Sequence, residues 1–222
     1  MPRAHAERRA CGIQTAWTCA DTPDEAIAEI AHVLDPSGIG QLLVFFSQPY
    51  EAESVCAALS AKFPDVPVAG CSTSGEITSD GFSERSVLVV AFPDHGFHFV
   101  SSVIPEVKAL SVDRASEAVQ ALRARLDKAD GATYENLFAI SLIDGLSRCE
   151  EAIVSAIAWA LGDIPLVGGS AGDGLTLSGT SLLHDGRVYR GAALLLLVET
   201  EYPVRSFYCD HFEPTETKLV VT

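Results

Sequence analysis

The sequence has no C-x-x-C pair, one methionine, and only 15 lysines and arginines against 30 aspartates and glutamates. Each shortage excludes something. Without paired cysteines, Cys11, Cys19, Cys56, Cys71, Cys149 and Cys209 make neither a structural zinc site nor a disulfide framework, and read as small core hydrophobes. With a net charge of −15 and no long basic cluster, the chain repels nucleic-acid phosphates and anionic lipid headgroups. No apolar run reaches the ~18 residues that span a bilayer, and the first residues lack the continuous apolar stretch of a signal peptide. These absences predict a cytoplasmic protein with no nucleic-acid partner and no membrane partner.

What is present is an ordered globular composition, 48% hydrophobic and 20% charged, on a chain of 222 residues that can bury a substantial core. It is also written twice. Asp65-Val66-Pro67-Val68-Ala69-Gly70-Cys71-Ser72 returns 98 positions later as Asp163-Ile164-Pro165-Leu166-Val167-Gly168-Gly169-Ser170. Around each copy lie an apolar strand and a helix before it, then a turn-rich stretch and another apolar strand after it. Copy one spans residues 12–92 and copy two 97–198, each a β-α-β-α-β-β-β unit. Residues 1–11 read as a loosely ordered tail.

The helices carry start signals and one apolar face. Thr22-Pro23-Asp24-Glu25 is a capping box with proline at the first helical position, which predicts a helix to about Leu34. Ser147-Arg148-Cys149-Glu150 is a second capping box, before a helix with Ile153, Ile157 and Leu161 on one face. Ala52, Val55, Leu59 and Phe63 form another such stripe, as do Val112, Ala115, Val119, Leu122 and Leu126. The runs Leu42 to Phe46, Ser86 to Phe92, Leu137 to Leu142 and Ala192 to Val198 are short and continuously apolar, which predicts strands buried on both faces with helices above and below. Asp185-Gly186 between strand-like flanks is a hairpin signal. The fold class is therefore α/β, with mixed sheets, flanking helices and an internal duplication of pseudo-twofold symmetry.

In α/β sheets ligands gather beyond the carboxyl ends of strands. The two repeated loops belong there, and bring backbone N–H groups, hydroxyls and a carboxylate suited to a small polar ligand. Candidate contacts are Ser47, Cys71, Ser72, Thr73, Ser74, Asp144, Gly169, Ser170 and Asp173. Gly168-Gly169-Ser170-Ala171-Gly172 also fits the G-x-S-x-G nucleophile elbow, which would make Ser170 an acyl-hydrolase nucleophile with Asp185 and His211. The glycine-rich stretch after it, with no helical period, argues against that, so no catalytic residue is assigned. No histidine pair has metal-ligand spacing, yet one accessible histidine suffices for an axial haem ligand, and His184 and His211 are the candidates.

Val66-Pro67-Val68-Ala69-Gly70-Cys71-Ser72-Thr73-Ser74-Gly75-Glu76, Gly81-Phe82-Ser83, Leu142-Ile143-Asp144-Gly145, Ile164 to Asp173 and His184-Asp185-Gly186-Arg187-Val188-Tyr189 together resemble the FIST N-terminal domain, in the right order over residues 12–202. The resemblance implies a non-enzymatic sensory domain of prokaryotic signal transduction, with amino acids as proposed ligands and a partner such as a histidine kinase. It needs no cofactor. Some relatives bind haem and sense nitric oxide, which makes haem the alternative. Residues 203–222 resemble the opening of a second, C-type FIST domain that relatives carry. An edge strand near Pro203 left unpaired there makes a homodimer an expectation.

Overall fold

The computed structural model describes residues 4–127, 134–174, 176–177, 179–207 and 215. Among these residues thirteen strands and four α-helices run β1(His5–Arg8), β2(Gln14–Thr18), α1(Pro23–Val33), β3(Ile39–Ser47), α2(Ala52–Lys62), β4(Val68–Thr73), β5(Glu76–Thr78), β6(Gly81–Ser83), β7(Val87–Pro93), β8(Phe97–Ile104), α3(Val112–Leu126), β9(Asn136–Asp144), α4(Glu150–Leu161), β10(Leu166–Ala171), β11(Leu182–His184), β12(Arg187–Tyr189) and β13(Ala193–Thr200). The duplication is plain in the strand order: β2-β7-β3-β4 in copy one repeats as β8-β13-β9-β10 in copy two. Each copy carries one strand more than its sequence pattern implied, because the turn-rich stretch before its last strand is a two-stranded hairpin.

The period of two along the central strands explains why they are apolar throughout. In β13, Ala193, Leu195 and Leu197 join a core with α3 and α4, while Leu194 and Leu196 join a core between the sheets. In β3, Leu42, Val44 and Phe46 meet α1 and α2, and Leu43 and Phe45 face the other sheet. Each sheet thus has helices on one face only, and the opposite sheet covers the other. The expectation of helices above and below is corrected: both arrangements bury a strand twice, so an apolar run does not distinguish them. Phe92 anchors the inter-sheet core, edge-on to Phe97 and Phe99 with ring centroids 5.3 and 4.9 Å away.

Two local expectations also change. Residues 5–8 are not a loose tail; they form β1, antiparallel to β2, with His5 stacked on Trp17 at 5.6 Å. Ser147 does not cap α4. Asp144 takes the Leu146 N–H into an Asx turn at 2.9 Å and Ser147 closes it, so the helix starts three residues on, behind Cys149. Thr22 does cap α1, accepting from the Glu25 N–H at 3.3 Å with Pro23 behind it. No strand occurs among the described residues of 203–222, and residues 208–214 and 216–222 lie outside the described residues. No described helix is long and apolar enough to cross a membrane.

Candidate functional site

The repeated loops meet each other. β4 ends at Thr73 and β10 at Ala171, and there the Gly172 N–H donates to the Ser72 carbonyl at 2.9 Å and the Gly174 N–H to Ser74 Oγ at 3.1 Å. Ser72 in turn gives its N–H to the Ser181 carbonyl at 2.9 Å, and its Oγ takes the Ser181 N–H at 3.0 Å. Gly172 can come this close because it has no Cβ; one would lie 2.6 Å from Ser74 Oγ.

Two clefts flank this crossing. One, of about 530 Å³, is lined by Ser47, Thr73, Ser74 and Thr176, with Asp173, Glu84 and Arg85 as its charged groups. The other, of about 310 Å³, is lined by Tyr50, Ser72, Gly179, Ser181 and Arg190 among others. Both draw residues from both copies, as a ligand site at a duplication interface requires.

Behind the larger cleft sits Glu76, buried at the start of β5 and missing from the sequence-derived candidates. The Thr73 and Ser86 hydroxyls donate to its carboxylate. Burial raises its pKa, against the opposing pull of the Ser86, Thr73 and Ser47 hydroxyls. A raised folded pKa adds stability at low pH that is lost as pH rises past the ordinary value of 4.5 and through the folded one. Urea denaturation from pH 4 to 8 is therefore expected to show the wild type losing stability relative to Glu76→Gln across that window; parallel profiles would contradict a desolvated carboxyl.

The other candidates scatter. Ser47, Thr73, Ser74 and Asp173 line the larger cleft and Ser72 the smaller. Asp173 is itself buried and accepts from Thr176 Oγ1 and the Gly179 N–H, each at 3.0 Å. Asp144 is buried in hydrogen bonds of its own and lines neither cleft. Cys71 lies in the inter-sheet core, where burial pushes its thiol up to about 12. A thiol reagent at pH 8 is expected to label exposed Cys19 and leave Cys71 unmodified until the protein unfolds. Gly169 and Ser170 stand exposed on β10, outside both clefts.

Neither chemical alternative gains a constellation. β10 runs through Ser170 to Ala171 with no helix among the described residues of the following loop, so the elbow geometry is missing. Asp185 accepts from the Val68 N–H at the opposite end of β4 from the loop crossing. His184 has its Nε2 2.9 Å from Ser101 Oγ and 3.5 Å from Asp185, and burial lowers its pKa. That nitrogen is thereby engaged within the protein in this conformation and not offered to a haem iron. His211 lies outside the described residues. Among the described residues no cluster of three or more His, Cys, Asp or Glu could hold a metal ion.

Residues 41–222 match the FIST N domain. The chain belongs to the FIST N-domain family. FIST domains are sensory domains. No curated protein matches this chain. Among solved structures it is similar to a cyanuric acid hydrolase described as an evolutionary innovation by structural concatenation, at 10% identity and a TM-score of 0.40, over 89% of this chain and 68% of that one. A likeness that distant says nothing of chemistry. The FIST match takes in both clefts and both repeated loops. The residues that sequence reasoning missed, Glu76, Ser86 and Arg85, sit at the edges of the short hairpin of copy one. A carboxylate in the quoted loop was the only signal for them.

Proposed function

We propose that this FIST N domain senses a small polar ligand in the larger cleft between its two copies and passes the bound state to a separate partner such as a histidine kinase. It does so without catalysis. The supporting observation is the cleft's chemistry: Arg85 stands with Asp173 and Glu84 around the hydroxyls of Ser47, Thr73 and Ser74. One cation and two carboxylates in about 530 Å³ suit a zwitterion such as an amino acid, its carboxylate toward Arg85 and its ammonium toward the acids.

Thermal unfolding in the presence of each common amino acid tests this. A ligand at ~100 times its Kd adds about 2.7 kcal/mol to stability. Arg85→Gly is the informative variant, because Arg85 holds a left-handed φ of 57° and its repeat equivalent, Gly191, holds 60°. Glycine relieves that conformation, and the Arg85 carbonyl that accepts from Tyr50 Oη at 3.2 Å remains. The variant is expected to keep the ligand-free melting temperature while losing the ligand-induced rise. A wild-type panel with no rise for any amino acid would sink the zwitterion reading.

A further inference from the structure

The two hairpins break the symmetry of the duplication. In copy two, β11–β12 leaves its own sheet and extends that of copy one, with β11 antiparallel to β4 and Leu182 opposite Cys71, Leu183 opposite Gly70 and His184 opposite Ala69. Among the described strands, the equivalent β5–β6 of copy one pairs with no other strand, and β10, the equivalent of β4, pairs with β9 alone. Among the described residues the chain therefore holds an unused hairpin and an unused acceptor edge of the kind it has already joined once.

Side chains say the same. Ile77 pairs across its hairpin with Phe82 as Leu183 does with Val188. Leu183 is fully buried in the core with α2, and Val188 packs against it, whereas Ile77 is 81% and Phe82 65% exposed. On the acceptor side, Cys56 of α2 lies in that same core, while its repeat equivalent on α4, Val154, is 40% exposed. The backbone edge is equally ready. The Val68 carbonyl and Ser72 N–H face the hairpin side of β4, so their equivalents at Leu166 and Ser170 face outward from β10. An apolar hairpin and an open strand edge, each matched to the other, are the two halves of a strand-addition interface.

We propose that β10 accepts the β5–β6 hairpin of a second copy of this chain, antiparallel, with Ile77 opposite Gly168 and with Ile77 and Phe82 covering Val154 on α4. Each chain brings one hairpin and one edge, so a twofold dimer satisfies all four. This surface is distinct from the segment near Pro203 and does not depend on the ligand reading above.

Light scattering after size exclusion is expected to give a dimer of the 23.6 kDa chain. The hairpin variant Ile77→Asp/Phe82→Asp and the acceptor variant Val154→Asp change exposed side chains, so both are expected to stay folded by circular dichroism. Each is expected to weaken dimerisation at least about 100-fold, as removal of central apolar anchors does. Mixing the two is expected to recover part of the association, because the mixed dimer keeps one intact hairpin on one intact edge; two damaged copies of a single shared patch would not recover. A monomeric wild type, which would leave the edge to a further unit of the same topology in another chain, overturns the proposal. So does a dimer that survives both sets of substitutions.

Discussion

Gly70→Ala and Gly168→Ala are each expected to cost about 4 kcal/mol or more, enough to leave much of the chain unfolded or insoluble. The two glycines occupy the third position of β4 and β10, the parallel neighbours of β3 and β9. A Cβ on Gly70 would stand 2.1 Å from the Val44 carbonyl oxygen, and one on Gly168 1.9 Å from that of Ser141. Both obstacles are backbone in a central strand, which cannot retreat without losing its ladder, so the usual ~1–3 kcal/mol of overpacking is a lower bound. Gly168 adds a φ of 154°. The control is one residue away. A Cβ on Gly169 meets nothing within 4 Å, so Gly169→Ala is expected to stay within about 0.5 kcal/mol of wild type. Urea denaturation of the three variants decides the matter, and a Gly168→Ala chain as stable as Gly169→Ala would contradict the close approach of β10 to β9.

Those two glycines show what could be read from the residues. The repeated Gly70 and Gly168 betrayed the duplication because a close backbone approach tolerates no substitute in either copy. The same holds for the apolar runs of β3, β7, β9 and β13, where burial on both faces erases any alternation. What covers those faces was not legible, since another sheet and a pair of helices make the same demand of a side chain. The Ser147 capping box misled because serine three residues before glutamate describes local chemistry only. Here the Ser147 hydroxyl takes the Cys149 N–H at 3.4 Å in a turn that precedes the helix, and α4 starts behind Cys149 instead. Short hairpins left almost no trace apart from Asp185-Gly186, whose φ values of 44° and 75° give the turn that such a pair favours.

The candidate site was legible by loop and not by residue. Placing a polar ligand beyond the ends of β4 and β10 brought in Ser47, Thr73, Ser74 and Asp173, which do share one cleft. It also brought in Cys71 and Asp144, because adjacent positions in a strand point to opposite faces and the register cannot be read without knowing which face is core. Arg85 escaped notice for the converse reason. It is the lone cation of the larger cleft, yet it comes from the turn between a hairpin and β7, and only its repeat partner Gly191 hints that the backbone there is unusual.

Asp144 is where the two accounts of this region part, and Asp144→Asn separates them. Its Oδ1 takes Thr180 Oγ1 at 2.5 Å and the Leu146 N–H at 2.9 Å, and its Oδ2 takes the Gly191 N–H at 2.6 Å. One buried carboxylate thereby ties the end of β9 to the loop before β11, to the entry of α4 and to the turn before β13. An asparagine cannot reproduce this. Whichever way its amide is turned, the NH₂ faces a backbone N–H, that of Gly191 or that of Leu146, and a buried donor is left facing a donor. The expected cost is about 3 kcal/mol, or roughly 10 °C in melting temperature for a chain of this size. A ligand contact would behave otherwise: the ligand-free protein would melt as the wild type does, and only the response to a bound amino acid would disappear. A fall in the ligand-free melting temperature, with a ligand response still measurable in what remains folded, assigns Asp144 to the internal bracing of copy two and leaves Asp173 and Arg85 as the groups that meet the ligand.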